Sequence, residues 1–179
     1  MRTTDYGKKV GQALKAVAQM HFQVGQLLSD CDKLFPDYES VFGAIATRDL
    51  TRSVNAPFWM AEGVYRYWFR ESPSVIGVTA LFHQREGGKL EEPLFVVGQI
   101  DYDSNGQEAK DQCDPWDLWE AVMGWAPQPL RMGEAINLRN PEKGGRIQNM
   151  KFIVVPLFQI ESLDDVRTLF RKIGVELPR

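Results

Sequence analysis

The densest run of oxygen ligands in the chain is Asp101-Tyr-Asp103-Ser-Asn105-Gly106, where Asp101, Asp103 and Asn105 fall on every second position and a glycine follows. This is the first half of a calcium loop, because hard cations such as Ca²⁺ or Mg²⁺ take carboxylate and amide oxygens and the glycine permits the sharp turn. The second half departs from that pattern. Its twelfth position is Gln112 instead of a bidentate glutamate, and the segment before it reads as a strand where a helix is needed. A turn leaving a sheet explains the same residues, since Asp and Asn hydrogen-bond their own backbone and tolerate left-handed geometry. The turn is the favoured reading, with Ca²⁺ or Mg²⁺ as the cofactor it competes against.

The loop belongs to an acidic block. Residues 101 to 120 hold seven acids (Asp101, Asp103, Glu108, Asp111, Asp114, Asp117, Glu120) against Lys110 alone, a net of −6. Opposite in sign, residues 131 to 151 hold Arg131, Arg139, Lys143, Arg146 and Lys151 against Glu134 and Glu142, a net of +3 around Gly144-Gly145. Consecutive backbone N–H groups in a glycine turn can cradle an anion. If both segments met in one cleft, Asp101 and Asp103 would hold a divalent cation while Lys143 or Arg146 clamped a substrate phosphate. The spacing of a nucleotide-binding P-loop is absent, so a solvated loop is the simpler account.

Other constellations are thinner. Arg48, Arg52, Arg66 and Arg70 interleave with Trp59, Tyr65, Tyr67, Trp68 and Phe69, the pairing of charge and stacking rings that single-stranded nucleic acid requires. Aromatics at this density are more often core, with arginine stems laid over them. The 24 acids outnumber the 21 bases, so no global basic field favours a nucleic-acid partner. His21 and His83 have no companion motif, and Cys31 and Cys113 show no CxxC spacing and read as two reduced thiols.

These residues need elements to position them. Val10, Leu14, Val17, His21, Val24, Leu28, Cys31 and Phe35 recur in alternating steps of four and three, a helical seam that stops at Phe35-Pro36 because the proline ring cannot continue the ladder. Residues 37–55 carry no clear period. Ala56 to Glu71 spaces its apolar residues by threes and fours after Pro57, which favours a second helix, although Val64/Arg66/Trp68 against Tyr65/Tyr67/Phe69 also alternates as a strand would. Ser74 to Phe82 and Leu94 to Tyr102 form a hairpin pattern. Asp114-Pro115 opens a short helix, Ala135 to Leu138 is a short strand, and Lys151 to Ile160 is a strand whose Pro156 suits an edge or a bulge. Ser162 and Asp165 form a capping pair for a terminal helix that Gly174 stops.

The expected fold is therefore one α+β domain over residues 1–179. Its antiparallel sheet is built from the hairpin 74–102 and the strand 151–160, with the long helix of 1–36 and the C-terminal helix on one face and a partly wet opposite face. No segment reaches the roughly 20 apolar residues of a membrane span, and Met1 to Val10 lacks the apolar core of a signal peptide, so a cytoplasmic location without a membrane partner is expected. The seam, roughly 40 Å long, exceeds what a small sheet needs to cover itself. A non-enzymatic interaction module that forms a homodimer through Val10, Leu14, Val17, His21, Val24 and Leu28 is the leading expectation. A divalent-metal enzyme acting on a phosphate substrate comes second and a single-stranded nucleic-acid binder third.

Overall fold

The computed structural model describes residues 3–42, 46–47, 62–82, 90–103 and 106–177. In chain order the elements are α1 (Thr3–Asp30), β1 (Glu39–Ser40), β2 (Ala46–Thr47), β3 (Gly63–Phe69), β4 (Ser74–Leu81), β5 (Leu94–Tyr102), α2 (Ala109–Gln112), α3 (Asp117–Glu120), β6 (Ala135–Arg139), β7 (Ile147–Pro156) and α4 (Leu163–Lys172). A 3-10 turn, Cys31–Leu34, extends α1, and a π-helical turn, Ala121–Trp125, extends α3. The strands lie in the order β1-β3-β4-β5-β7-β6, every neighbouring pair is antiparallel, and β2 joins the β1 side of β3. The α+β arrangement of hairpin, strand, long N-terminal helix and C-terminal helix expected from the sequence is the one observed.

The segment favoured as a second helix is instead β3, and residues 56–61 of it lie outside the described residues. All seven β3 residues are buried. Val64 and Trp68 enter the core under α1 and α4, while Tyr65, Tyr67 and Phe69 enter the core on the opposite face. A strand can bury both sets because successive side chains point to opposite faces. Pairing with β4 from Gly63↔Leu81 to Phe69↔Val75 satisfies the backbone throughout.

The opposite face is not wet. There α2, α3 and the π turn press Ala109, Leu118, Ala121 and Val122 onto Val96, Ile100, Phe152 and Val154 of β5 and β7. Close approach is permitted by Gly77 and Gly98, which face each other across β4 and β5. A Cβ at Gly77 would collide with the Tyr67 ring, and one at Gly98 with the Leu118 side chain.

β7 begins at Ile147 and ends at Pro156, after which Leu157–Gln159 make a 3-10 turn. It lies between β5 and β6, so Pro156 marks the strand's end and not a sheet edge. β6 reaches along β7 only to Ile153, so β6 requires no donor from the proline. The irregularity of this sheet falls elsewhere, at Asp101/Tyr102, where the β5–β7 register shifts. At α4 the capping box is complete: Ser162 Oγ accepts from Asp165 N–H and the Asp165 carboxylate accepts from Ser162 N–H at 2.8 Å. Gly174 follows at φ +81°, the left-handed stop. No helix among the described residues is long and apolar enough to cross a membrane.

Candidate functional site

Helix α1 divides into two parts. Its C-terminal part lies on the sheet: Val24 is 5% exposed, Leu28 and Cys31 are fully buried, and all three belong to the core with Trp68 and Phe170. Asp32, in the turn that follows, accepts from Arg66 Nε at 3.0 Å, Arg66 Nη2 at 2.9 Å and Trp68 Nε1 at 2.8 Å, which ties this end of the helix to β3. Further back along the helix the His21 ring stands 4.3 Å from that of Phe82, just past the end of β4. The N-terminal part passes beyond the sheet, and residues 5–16 are exposed apart from half-buried Gly11.

The seam expected to meet a partner is therefore split. Val24 and Leu28 serve the chain's own core and leave that surface, because the sheet face needs their apolar area. Val17 and His21 are half-buried. Val10 at 40% and Leu14 at 66% remain exposed, and Tyr6, one turn earlier on the same side, is 65% exposed. Between residues 10 and 29 the helix carries one charged side chain, Lys15.

The acidic and basic segments do meet. Asp103 N–H donates to Arg146 O at 2.9 Å, and Asp101 lies opposite Asn149 in the β5–β7 register. What they form is an internal ion pair. Both guanidinium nitrogens of Arg146 reach the Asp117 carboxylate, Nη1 at 2.8 Å, and Nη1 also donates to Gln112 O at 2.7 Å. Tyr102 Oη donates to the Asp117 carboxylate at 2.5 Å, and Asp114 N–H donates to the same carboxylate at 2.9 Å. Burial raises the Asp117 carboxyl above its usual range, against the pull of Arg146 and Tyr102. Burial opposes the Arg146 charge too, but Asp117 outweighs it and holds the guanidinium charged. An arginine so engaged offers little to a substrate phosphate.

Asp101 is similarly occupied, with Oδ1 accepting from Ser74 Oγ at 2.6 Å and Gln99 Nε2 at 3.2 Å, and Oδ2 from Asn149 Nδ2 at 3.1 Å. Asp103 Oδ1 accepts from Gln148 Nε2 at 3.0 Å. Among the described residues no group of three or more His, Cys, Asp and Glu side chains is placed to hold a metal ion, and Asn105 lies outside those residues. Lys143 is exposed on the turn that Asn140 opens, at φ 43°.

Of the residues considered for nucleic acid, Arg66 is 9% exposed and bound to Asp32, and Trp68 is 2% exposed. Neither presents a free stacking surface. Arg48, Arg52, Trp59 and His83 lie outside the described residues. Both cysteines are free and buried. The roles of Asp32 and Asp117 were not visible in the sequence, because their partners are 34 and 29 positions away and no local spacing announces such a pair. The one local sign was Asp117 three residues after Asp114, a first-turn acid that proves to accept from Asp114 N–H.

No family model, curated protein or solved structure matches this chain.

Proposed function

We propose that this protein is a non-enzymatic interaction module that associates with a second copy of itself through the N-terminal part of α1. The observation that carries the reading is the exposed stripe Tyr6, Val10 and Leu14, on a helix with Lys15 as its one charge between residues 10 and 29. A solvated helix face normally carries charged residues, and one bare of them with large apolar side chains exposed gains by being covered. A second copy suits it because a two-fold pairing covers the stripes of both copies at once.

Sedimentation over a wide range of protein concentration tests this. The wild-type chain is expected to approach twice its monomer mass, and V10E/L14E to remain a folded monomer whose melting temperature matches that of dilute, monomeric wild type. A wild-type chain that stays monomeric at every concentration overturns the proposal.

A further inference from the structure

We infer that the α1 stripe is received by the partner copy's cleft between residues 90–94 and 128–132, in a two-fold dimer whose copies meet end to end with one turned over; this rests on the self-association proposed above. The cleft, of about 540 Å³, is lined by Leu90, Leu94, Pro129, Leu130 and Met132, and Met132 is 45% exposed. Glu91 and Glu92 stand exposed on its rim.

Asp32 binds Trp68 near one end of the sheet and His21 touches Phe82 at the other, so α1 runs along the strands toward the Phe82 end. The residues before His21 then carry the helix roughly 27 Å past that end. The cleft lies at the same end, because Leu94 pairs with Leu81 across β4 and β5. It opens on the opposite face, since Leu94 belongs to the other core and Leu90 and Leu130 pack against it. A two-fold axis lying in the sheet plane along this end turns the partner over, which brings each helix extension across the other copy's cleft. Tyr6, Val10 and Leu14 share the side of α1 that carries Val24 and Leu28, so the stripe is turned toward the level of the sheet, where that cleft would lie.

On the extension Lys9 flanks the stripe while Lys8 and Lys15 lie on the far side of the helix, and the cleft rim carries Glu91 and Glu92. Neither Lys9 nor the two glutamates form an ion pair among the described residues, whereas nearby Arg131 is engaged by Glu134 at 3.6 Å. Complementary rims of this kind steer association and fix its register.

The test is a charge exchange read by sedimentation. K9E and E91K/E92K alter exposed side chains, and each is expected to weaken homodimerisation by about fivefold or more. Mixed in equal amounts, the two variants restore the dimer, because both cleft contacts then become complementary. If each variant dimerises like wild type while V10E/L14E is monomeric, or if the mixture stays monomeric, this inference is overturned and self-association through α1 stands. A monomeric wild type overturns both. Independently of charge, an L14C chain and an M132C chain mixed under mild oxidation are expected to form an intermolecular disulfide while buried Cys31 and Cys113 stay reduced. Failure of that cross-link between folded chains that do dimerise also overturns the inference.

Discussion

Arg146 and Asp117, 29 positions apart, form a two-bonded ion pair whose carboxylate is fully buried, and Tyr102 shares one of the carboxylate oxygens. The pair joins the turn that precedes β7 to the start of α3. Removing one partner leaves the other without compensation in a low-dielectric site, and that usually costs about 3 to 5 kcal/mol. The Arg146 side chain is 31% exposed, which lets water soften the loss. Asp117→Asn is expected to cost about 3 kcal/mol and lower the melting temperature by roughly 6 to 12 °C. A double-mutant cycle with Arg146→Gln should show a coupling of about 1 to 3 kcal/mol, and strict additivity would deny that the two residues act as a unit.

The two halves of α1 should respond differently to truncation. Leu28 is fully buried and Leu14 is 66% exposed. Leu28→Ala is expected to destabilise by about 3 kcal/mol, the transfer and cavity cost of a core leucine. Leu14→Ala, measured by denaturation of the isolated monomer at low concentration, should stay within about 0.5 kcal/mol of wild type. Equal losses at the two sites would mean that the N-terminal half is packed within its own chain.

Gly98 tests how α3 sits on the sheet. An added Cβ meets the Leu118 side chain and comes within 3.2 Å of Phe152 Cβ. Gly98→Ala should cost about 1 to 3 kcal/mol through overpacking. Combining it with Leu118→Ala should recover part of the loss in a denaturation series, which simple loss of strand propensity would not do.

Burial, assisted by nearby carboxylates, pushes the Cys31 thiol from its ordinary 9.0 up to about 12. Cys113 is pushed to about 12 as well, by burial above all. Burial also raises the Tyr67 and Tyr102 phenols. These folded-state values lie above the unfolded ones, so the stability they contribute is complete below pH 9.0 and is lost as pH climbs through about 12. Denaturant unfolding measured at successive pH values should show stability falling from about pH 9 upward. A flat profile across that window would contradict the burial of these groups. At neutral pH both thiols should alkylate far more slowly in the native chain than in denaturant.

Ser162→Ala removes the hydroxyl that caps α4 and is expected to cost about 1 kcal/mol. A melt showing a drop of roughly 2 to 4 °C would agree with this, and no change would mean that the first turn of α4 is held by its packing alone.

Much of the architecture was legible in the residues. The seam of α1, the β4–β5 hairpin and the Ser162/Asp165 box are local patterns, repeated or paired within a few positions, and each appears as expected. β3 was misjudged because its aromatics satisfy helical and strand spacing together, and only the presence of a core on both faces selects the strand. The phosphate clamp expected at Arg146 rested on spacing of the same local kind. Charge counting along the chain showed a basic segment and an acidic one but could not show that Asp117 already holds that arginine.

The sequence by itself determined which faces are apolar, where helices are capped and stopped, and that the two cysteines have no local partner, because these depend on residues within one or two turns of each other. The tertiary structure decided which half of the apolar α1 stripe the sheet covers, which carboxylate neutralises Arg146, and that Gly77 and Gly98 admit Tyr67 and Leu118. Those depend on strand register and on where one element ends against another, and periodicity reports that a surface wants covering without saying what covers it.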